Sequence, residues 1–175
     1  MITPQLETER MLLRPAKVED AQIIYNNWTS DPDVAKFMRW NVHGSVDETI
    51  DYLTRTEINV ADENSYDWLF VLKATNEPIG SGGVFHSKKH DMFELGYGIM
   101  KACWGKGFAT EAATAIMKFA IEELGKTQLY ACVANENPAS GSVLKKLGFV
   151  YKGDGEYSSF DGKRVFQCKE YFYQM

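Results

Sequence analysis

The chain has 175 residues, enough for one domain with a sizeable core, and is 45% hydrophobic and 25% charged, the balance of a soluble globular protein. No apolar run is long enough to span a membrane, the first residues lack a signal-peptide pattern, and the formal net charge of −5 comes with no basic tract suited to nucleic acid. The scattered cysteines, Cys103, Cys132 and Cys168, form no CxxC pair, so reduced thiols in a cytoplasm are expected.

With no linker, repeat or low-complexity segment, residues 1–175 read as a single domain. Residues 11–14 have the pattern of a first strand, with 6–10 leading into it. Residues 18–28 have helical spacing, since Val18, Ala21, Ile24, Tyr25 and Trp28 fall near one face. Asp31-Pro32-Asp33 combines a cap with a proline suited to the first position of a short helix. Residues 45–55 read as a helix with Ser45 as N-cap and Glu48 three residues on, the capping-box pattern.

The period then changes from helix to strand. Residues 67–73 and 79–85 read as strands joined by Asn76-Glu77-Pro78, and 93–99 as a further strand after a polar turn at 86–91. A helix is expected over 108–124, where Ala109, Ala112, Ala113, Ile116, Ala120 and Leu124 form an apolar stripe and Gly125 ends it. Residues 129–134 form another strand. Asn137-Pro138 has the chemistry of an N-cap followed by a proline, and Gly148 closes that helix. A hairpin turning at Asp161-Gly162 and running to Tyr173 finishes the chain. This order implies an α/β fold: a mixed β-sheet with helices on its faces.

The segment Trp104-Gly105-Lys106-Gly107-Phe108-Ala109-Thr110 carries the chemistry. Two glycines between a strand and a helix let the backbone approach a ligand, and the unpaired N–H groups at the helix start sit at its positive dipole end. Together these features bind phosphate. A P-loop is excluded because GxxxxGK followed by Ser or Thr is absent. A dinucleotide fold is excluded because Thr110 stands where GxGxxG needs glycine, and because the loop follows several antiparallel-type strands.

Four segments together resemble the GNAT superfamily of acyl-CoA-dependent N-acetyltransferases: Glu94-Leu95-Gly96-Tyr97, the loop 104–109, Asn135-Glu136-Asn137-Pro138-Ala139-Ser140, and Lys146-Leu147-Gly148-Phe149. Leu6-Glu7-Thr8-Glu9-Arg10 followed by Leu12-Leu13-Arg14-Pro15 resembles its RimJ/RimL-like branch, which includes ribosomal-protein N-terminal acetyltransferases. The resemblance runs from about Leu6 to Phe172. It implies a GNAT-like fold with splayed central strands, acetyl-CoA as cosubstrate with no metal, an amine acceptor (a protein N-terminus or a small molecule), and a homodimer.

By the same resemblance, backbone N–H groups from Gly105 to Thr110, through Lys106, Gly107, Phe108 and Ala109, hold the coenzyme pyrophosphate. Trp104 occupies a position that is Gln or Arg elsewhere in the family, which removes one cation. Tyr97, Gly98 and Ile99 border the pantetheine arm, and Asn135, Asn137 and Ser140 contact the coenzyme. For Asn137 a plain N-cap is the alternative reading, and for Ser140 a helix-start hydroxyl.

Glu94 is the candidate general base, against the reading of an exposed strand glutamate. A base is needed because only about a tenth of an α-amino group is neutral at pH 7, and far less of a lysine amine. Leu144 stands where many relatives carry a tyrosine acid, which leaves Ser140 as the candidate to assist the leaving thiolate. Trp40 and His43 are the candidate acceptor-pocket residues, within a stretch, 31–64, whose pattern says least. His86 and His90 are four residues apart but fall in a polar turn, which favours a surface role over a metal site. A non-catalytic acyl-CoA-binding protein is the rival reading.

Overall fold

A computed structural model describes residues 2–58 and 61–175, so positions 59 and 60 of the 31–64 stretch lie outside the described residues. An eight-stranded sheet runs in the order β1-β2-β3-β4-β5-β6-β8-β7. Its strands are β1 (Leu6–Glu7), β2 (Met11–Arg14), β3 (Ser65–Leu72), β4 (Pro78–Ser87), β5 (Met92–Ile99), β6 (Gln128–Ala134), β7 (Val150–Ser158) and β8 (Val165–Gln174). Neighbours are antiparallel except β5 and β6, which are parallel. The helices are α1 (Ala21–Ile24), α2 (Pro32–Ala35), α3 (Val46–Ile58), α4 (Phe108–Glu122) and α5 (Pro138–Lys146). None among the described residues is long and apolar enough to cross a membrane.

Strand alternation divides the core. On β3, Tyr66, Trp68 and Phe70 pack beneath Ile116, Phe119 and Ala120 of α4, with Leu144 of α5 in the same cluster. Leu69 and Val71 point the other way, onto Ala21, Ile24, Trp28 and Leu53. Helices therefore cover both faces, as a mixed α/β sheet requires. Each large side chain so buried contributes about 1.5–3 kcal/mol.

The helical stretch expected over 18–28 is present but not uniform. It is 3-10 over Val18–Asp20, α over Ala21–Ile24 and π over Tyr25–Thr29. The Tyr25 carbonyl accepts from both the backbone N–H (3.3 Å) and the hydroxyl (2.7 Å) of Ser30, which widens the last turn and directs both Trp28 and Thr29 inward. In α3, Glu48 reaches back as the capping-box pattern requires, but its carboxylate accepts from the N–H of Gly44 (3.2 Å), one residue before Ser45. The final hairpin is wider than a two-residue turn. Its loop spans 159–164, with Gly162 in the left-handed region at φ 72°.

One irregularity positions the site. Strands β5 and β6 pair only at Phe93 with Leu129 and Glu94 with Tyr130. Beyond that point β5 runs on to Ile99 and β6 to Ala134 without pairing, so their facing backbone groups open into a wedge.

Candidate active site

A cleft of about 1120 Å³ crosses the sheet at this wedge. Tyr97, Gly98, Ala131, Val133, Asn137 and Ser140 line it on the wedge side, and Trp40, His43 and Glu94 line it on the α1–α3 side. Seven residues singled out from the sequence are therefore brought together: Trp40, His43, Glu94, Tyr97, Gly98, Asn137 and Ser140. Ile99 is buried in the core just beyond the lining, Asn135 lies on the surface, and the loop 104–110 stands outside the lining altogether.

Glu94 is not an exposed strand glutamate, for it is 5% exposed. Its face of β5 is the floor of the cleft rather than open solvent. The Glu94 Oε1 accepts from Arg39 Nη2 at 3.0 Å and from the Cys132 thiol at 3.4 Å. Both bonds fall on one oxygen, which leaves Oε2 for a group entering the cleft. Burial works against the charge of Arg39, but the Glu94 carboxylate outweighs it and the guanidinium pKa is pushed up. Arg39 is held in turn over the Tyr157 ring, 4.9 Å from its centroid. The Cys132 thiol pKa is pushed up by its hydrogen bond with Cys168, by burial and by the charge of Glu94, so it stays a protonated donor.

Across the wedge, Tyr97 and Ser140 interlock. The Ser140 hydroxyl donates to the Tyr97 phenol oxygen, and the phenol donates to the Ser140 carbonyl, both at 3.1 Å. Burial pushes the Tyr97 phenol up to about 12, with the Ser140 bond pulling it partly back, so the phenol keeps its proton at neutral pH. Asn137 caps α5 by accepting the N–H of Ser140 at 3.4 Å, and it also lines the cleft. Leu144 is buried in the core at 1% exposure.

In the loop, Gly105 and Gly107 take φ of 72° and 80°, the left-handed region that glycine enters at no steric cost. Gly107 is the N-cap of α4 and no side chain caps it. The first backbone donor to return is Glu111, to the Gly107 carbonyl at 3.1 Å, so the N–H groups before it lack intrahelical acceptors. These are the features a pyrophosphate needs.

Trp104 donates its indole N–H to the Ile99 carbonyl at 2.7 Å, tying the loop to the end of β5. The Lys106 ammonium turns back onto the Ala102 carbonyl at 2.9 Å. A cation missing from the sequence reading arrives from afar. Arg10 donates to the Lys106 carbonyl (2.9 Å), pairs with Glu111 (2.7 Å) and lies 4.2 Å above the Phe108 ring centroid.

His43 is fixed from below. Its Nδ1 meets the Thr49 hydroxyl at 2.7 Å, and Thr49 meets the Thr29 hydroxyl at 2.9 Å. Burial pushes the His43 pKa down, so it offers the cleft a neutral ring. The segment that carries Arg39 and Trp40 is stapled by Arg164, which donates to the carbonyls of Met38 (2.9 Å) and Trp40 (2.8 Å) and to Asn41 Oδ1 (3.0 Å). Arg164→Ala is expected to cost about 2 kcal/mol, a fall in Tm of about 4–8 °C, and to raise the acceptor KM more than the donor KM. Thermal melts and steady-state kinetics check this, and equal effects on both KM values contradict it. Arg39 and Arg164 act across more than a hundred positions in most of these contacts, and no local pattern marks them. The histidines His86 and His90 are engaged separately, by Asp91 and Glu170.

The splayed wedge between β5 and β6, the uncapped start of α4 and the buried Glu94 are thus set around one opening in the sheet. The chain belongs to the GNAT acetyltransferase family, whose domain model matches residues 10–150, and it is an N-acetyltransferase by class. It is 30% identical over 152 residues to the uncharacterized N-acetyltransferase YoaA of Bacillus subtilis, covering 86% of this chain and 85% of that one. Its fold is that of a GNAT-family acetyltransferase from Bacillus anthracis (TM-score 0.82, 22% identity, 98% of each chain). It is also that of the ribosomal-protein-S5-alanine acetyltransferase from Vibrio fischeri (TM-score 0.81, 18% identity, 98% and 96% of the two chains).

Proposed function

We propose that the protein transfers an acetyl group directly from acetyl-CoA to a primary amine, with Glu94 as general base. The observation that carries this reading is the buried Glu94, which lines the cleft beside the wedge between β5 and β6 with Oε1 anchored and no hydrogen bond to Oε2 among the described residues. Acetyl-CoA supplies the acyl group as a thioester. The N–H groups of Gly105 to Thr110 hold its pyrophosphate, with Arg10 bracing the loop, and the unpaired backbone of β5 beyond Glu94 borders the pantetheine arm. Glu94 Oε2 takes a proton from the acceptor amine, directly or through water. A backbone N–H of β5 polarises the thioester carbonyl, an oxyanion-type role. The new N–C bond forms as the C–S bond breaks, and the Tyr97–Ser140 pair passes a proton to the departing sulfur while taking one back from solvent, so neither group is left ionised.

The Tyr97–Ser140 pair modifies the reading of Ser140 alone. The phenol retains its proton at neutral pH, and the serine hydroxyl links it to the start of α5. A free thiol has a pKa near 8.5, so the leaving group needs only modest help. Tyr97→Phe is therefore expected to lower kcat about tenfold or less, with Ser140→Ala similar and the double variant little worse than either single one. Independent, multiplying losses contradict the pair.

Among acceptors, protein N-terminal α-amines come first. Three observations support this: the RimJ/RimL-like start of the chain, the larger neutral fraction of an α-amine, and the fold shared with an enzyme named for a ribosomal protein. Thiol release from acetyl-CoA with a panel of peptides and small amines tests the proposal. Amine-dependent turnover is expected. Binding of acetyl-CoA with no turnover above background on any amine overturns it in favour of a non-catalytic acyl-CoA-binding protein.

A further inference from the structure

The cleft does not end at Glu94. It continues along the sheet floor to Ser65 and Asp67 of β3, walled by Tyr52 of α3. Asp67 pairs in register with Gly83, and Gly83 with Gly96, so Asp67 looks along a row of glycines toward the strand that carries Glu94. The row is bare for a reason. A Cβ on Gly83 would meet the Tyr66 backbone carbonyl at 2.0 Å and then Asp67 Oδ1 at 2.6 Å, so the strand backbone keeps this position bare and the carboxylate lies close over it. At Gly96 an added Cβ meets the edge of the Phe85 ring at 3.6 Å, so between the two carboxylates the cleft floor is glycine backbone with the Phe85 ring lying beside it. Two strand spacings across and two residues along put the Cα atoms of Asp67 and Glu94 about 12 Å apart.

Asp67 is lightly tied to its surroundings. Its only hydrogen-bond partner among the described residues is the Ser65 hydroxyl, at 3.1 Å, and no cation pairs with it. Arg55 also borders the cleft but makes no ion pair with it. Solvent reaches Asp67 through the cleft, yet the protein packed around it pushes its pKa up, with the Ser65 bond pulling only partly back. An ionised carboxylate placed so gains from an incoming cation. Tyr52 is open to solvent on one side, and the surrounding protein and the charge of Asp67 push its phenol up to about 12, so it keeps its proton at neutral pH. The Tyr52 and His43 rings lie 6.4 Å apart and the His43 and Trp40 rings 6.0 Å apart, each pair tilted, and all three line the cleft as an aromatic wall of the kind that suits a cation.

We infer that Asp67 is an acceptor-binding subsite for a second cationic group, so that the preferred acceptor is a primary amine carrying another ammonium or guanidinium group several bonds from the reacting nitrogen. This rests on the reading of Glu94 as the reacting end of the cleft. Two sources share that chemistry: a free di- or polyamine, and a peptide N-terminus followed closely by Lys or Arg.

The test compares matched acceptors on the full chain with saturating acetyl-CoA. One arm sets 1,n-diaminoalkanes against n-alkylamines of equal length, and the other sets tripeptides with lysine at position two or three against the same peptides with norleucine. The dicationic member of at least one arm is expected to have a kcat/KM about tenfold higher, and the arm that shows it names the source. Asp67→Asn, which keeps the shape and the Ser65 contact, is expected to abolish that preference through KM while leaving kcat and the monocationic acceptors unchanged. Equal kcat/KM for the paired acceptors in the unaltered chain, or equal losses for both in Asp67→Asn, overturns the subsite. Calorimetric binding of a diaminoalkane against its alkylamine, with coenzyme A present, reads the same preference without turnover. If no amine is acetylated, the catalytic reading fails on its own, while the binding comparison still upholds or overturns the Asp67 subsite.

Discussion

Glu94→Gln is expected to lower kcat/KM for the amine by about 10²–10⁴-fold, the range a positioned general base supplies. The substitution is conservative for the fold. Glutamine keeps an oxygen where Arg39 and Cys132 donate, and Arg39 is partly open to solvent, so the lost charge pair costs about 1–2 kcal/mol rather than the larger penalty of a fully buried one. Proton removal and positioning separate on two axes. If Glu94 is the base, the residual rate of the variant follows the neutral fraction of the amine as pH rises from about 6 to 9, and the loss is smaller for amines of low pKa. A rate and pH profile matching the unaltered protein would remove Glu94 from that role.

Gly107→Val is expected to raise the acetyl-CoA KM at least about tenfold while leaving the acceptor KM nearly unchanged. There is room for a side chain, since the nearest atom to an added Cβ is Arg10 Nη2 at 3.5 Å. The obstacle is the backbone. At φ 80° an L-residue pays about 1–2 kcal/mol and a β-branched one more, so the chain relaxes away from that region and turns the N–H groups of the loop off the phosphate. Tm falls by about 2–4 °C for each kcal/mol of strain. A donor KM within about twofold of the unaltered value contradicts the backbone account of pyrophosphate binding.

Local chemistry made much of this fold legible in the sequence. Asp31 caps α2 ahead of Pro32, Asn137 caps α5 ahead of Pro138, and Gly125 and Gly148 end their helices at positive φ. Each feature depends on residues within one turn of one another. On β5, Glu94, Gly96 and Gly98 are spaced two apart and so share a face, as strand alternation dictates. What that face meets is set elsewhere, by Arg39 brought in from 55 positions away. The π turn at Tyr25–Thr29 depends on Ser30 sharing the Tyr25 carbonyl, and helical periodicity does not register it. Arg10 could be found only in the folded chain, because its partners Lys106 and Glu111 lie about a hundred positions on. Asp67 reads in sequence as one polar residue at the start of a strand. Its meaning comes from the register that sets Gly83 and Gly96 beside it.

Direct transfer from acetyl-CoA to an amine in the cleft at Glu94 leaves no acyl group on the protein at any stage. The most direct measurement is a mass-spectrometric count of acetylated amine against free coenzyme A thiol, with the mass of the intact protein followed in the same reaction. One acetylated amine for each thiol released and an unmodified protein throughout are expected. Thiol release without an acetylated amine, or a protein that gains and then loses an acetyl group in step with turnover, contradicts direct transfer.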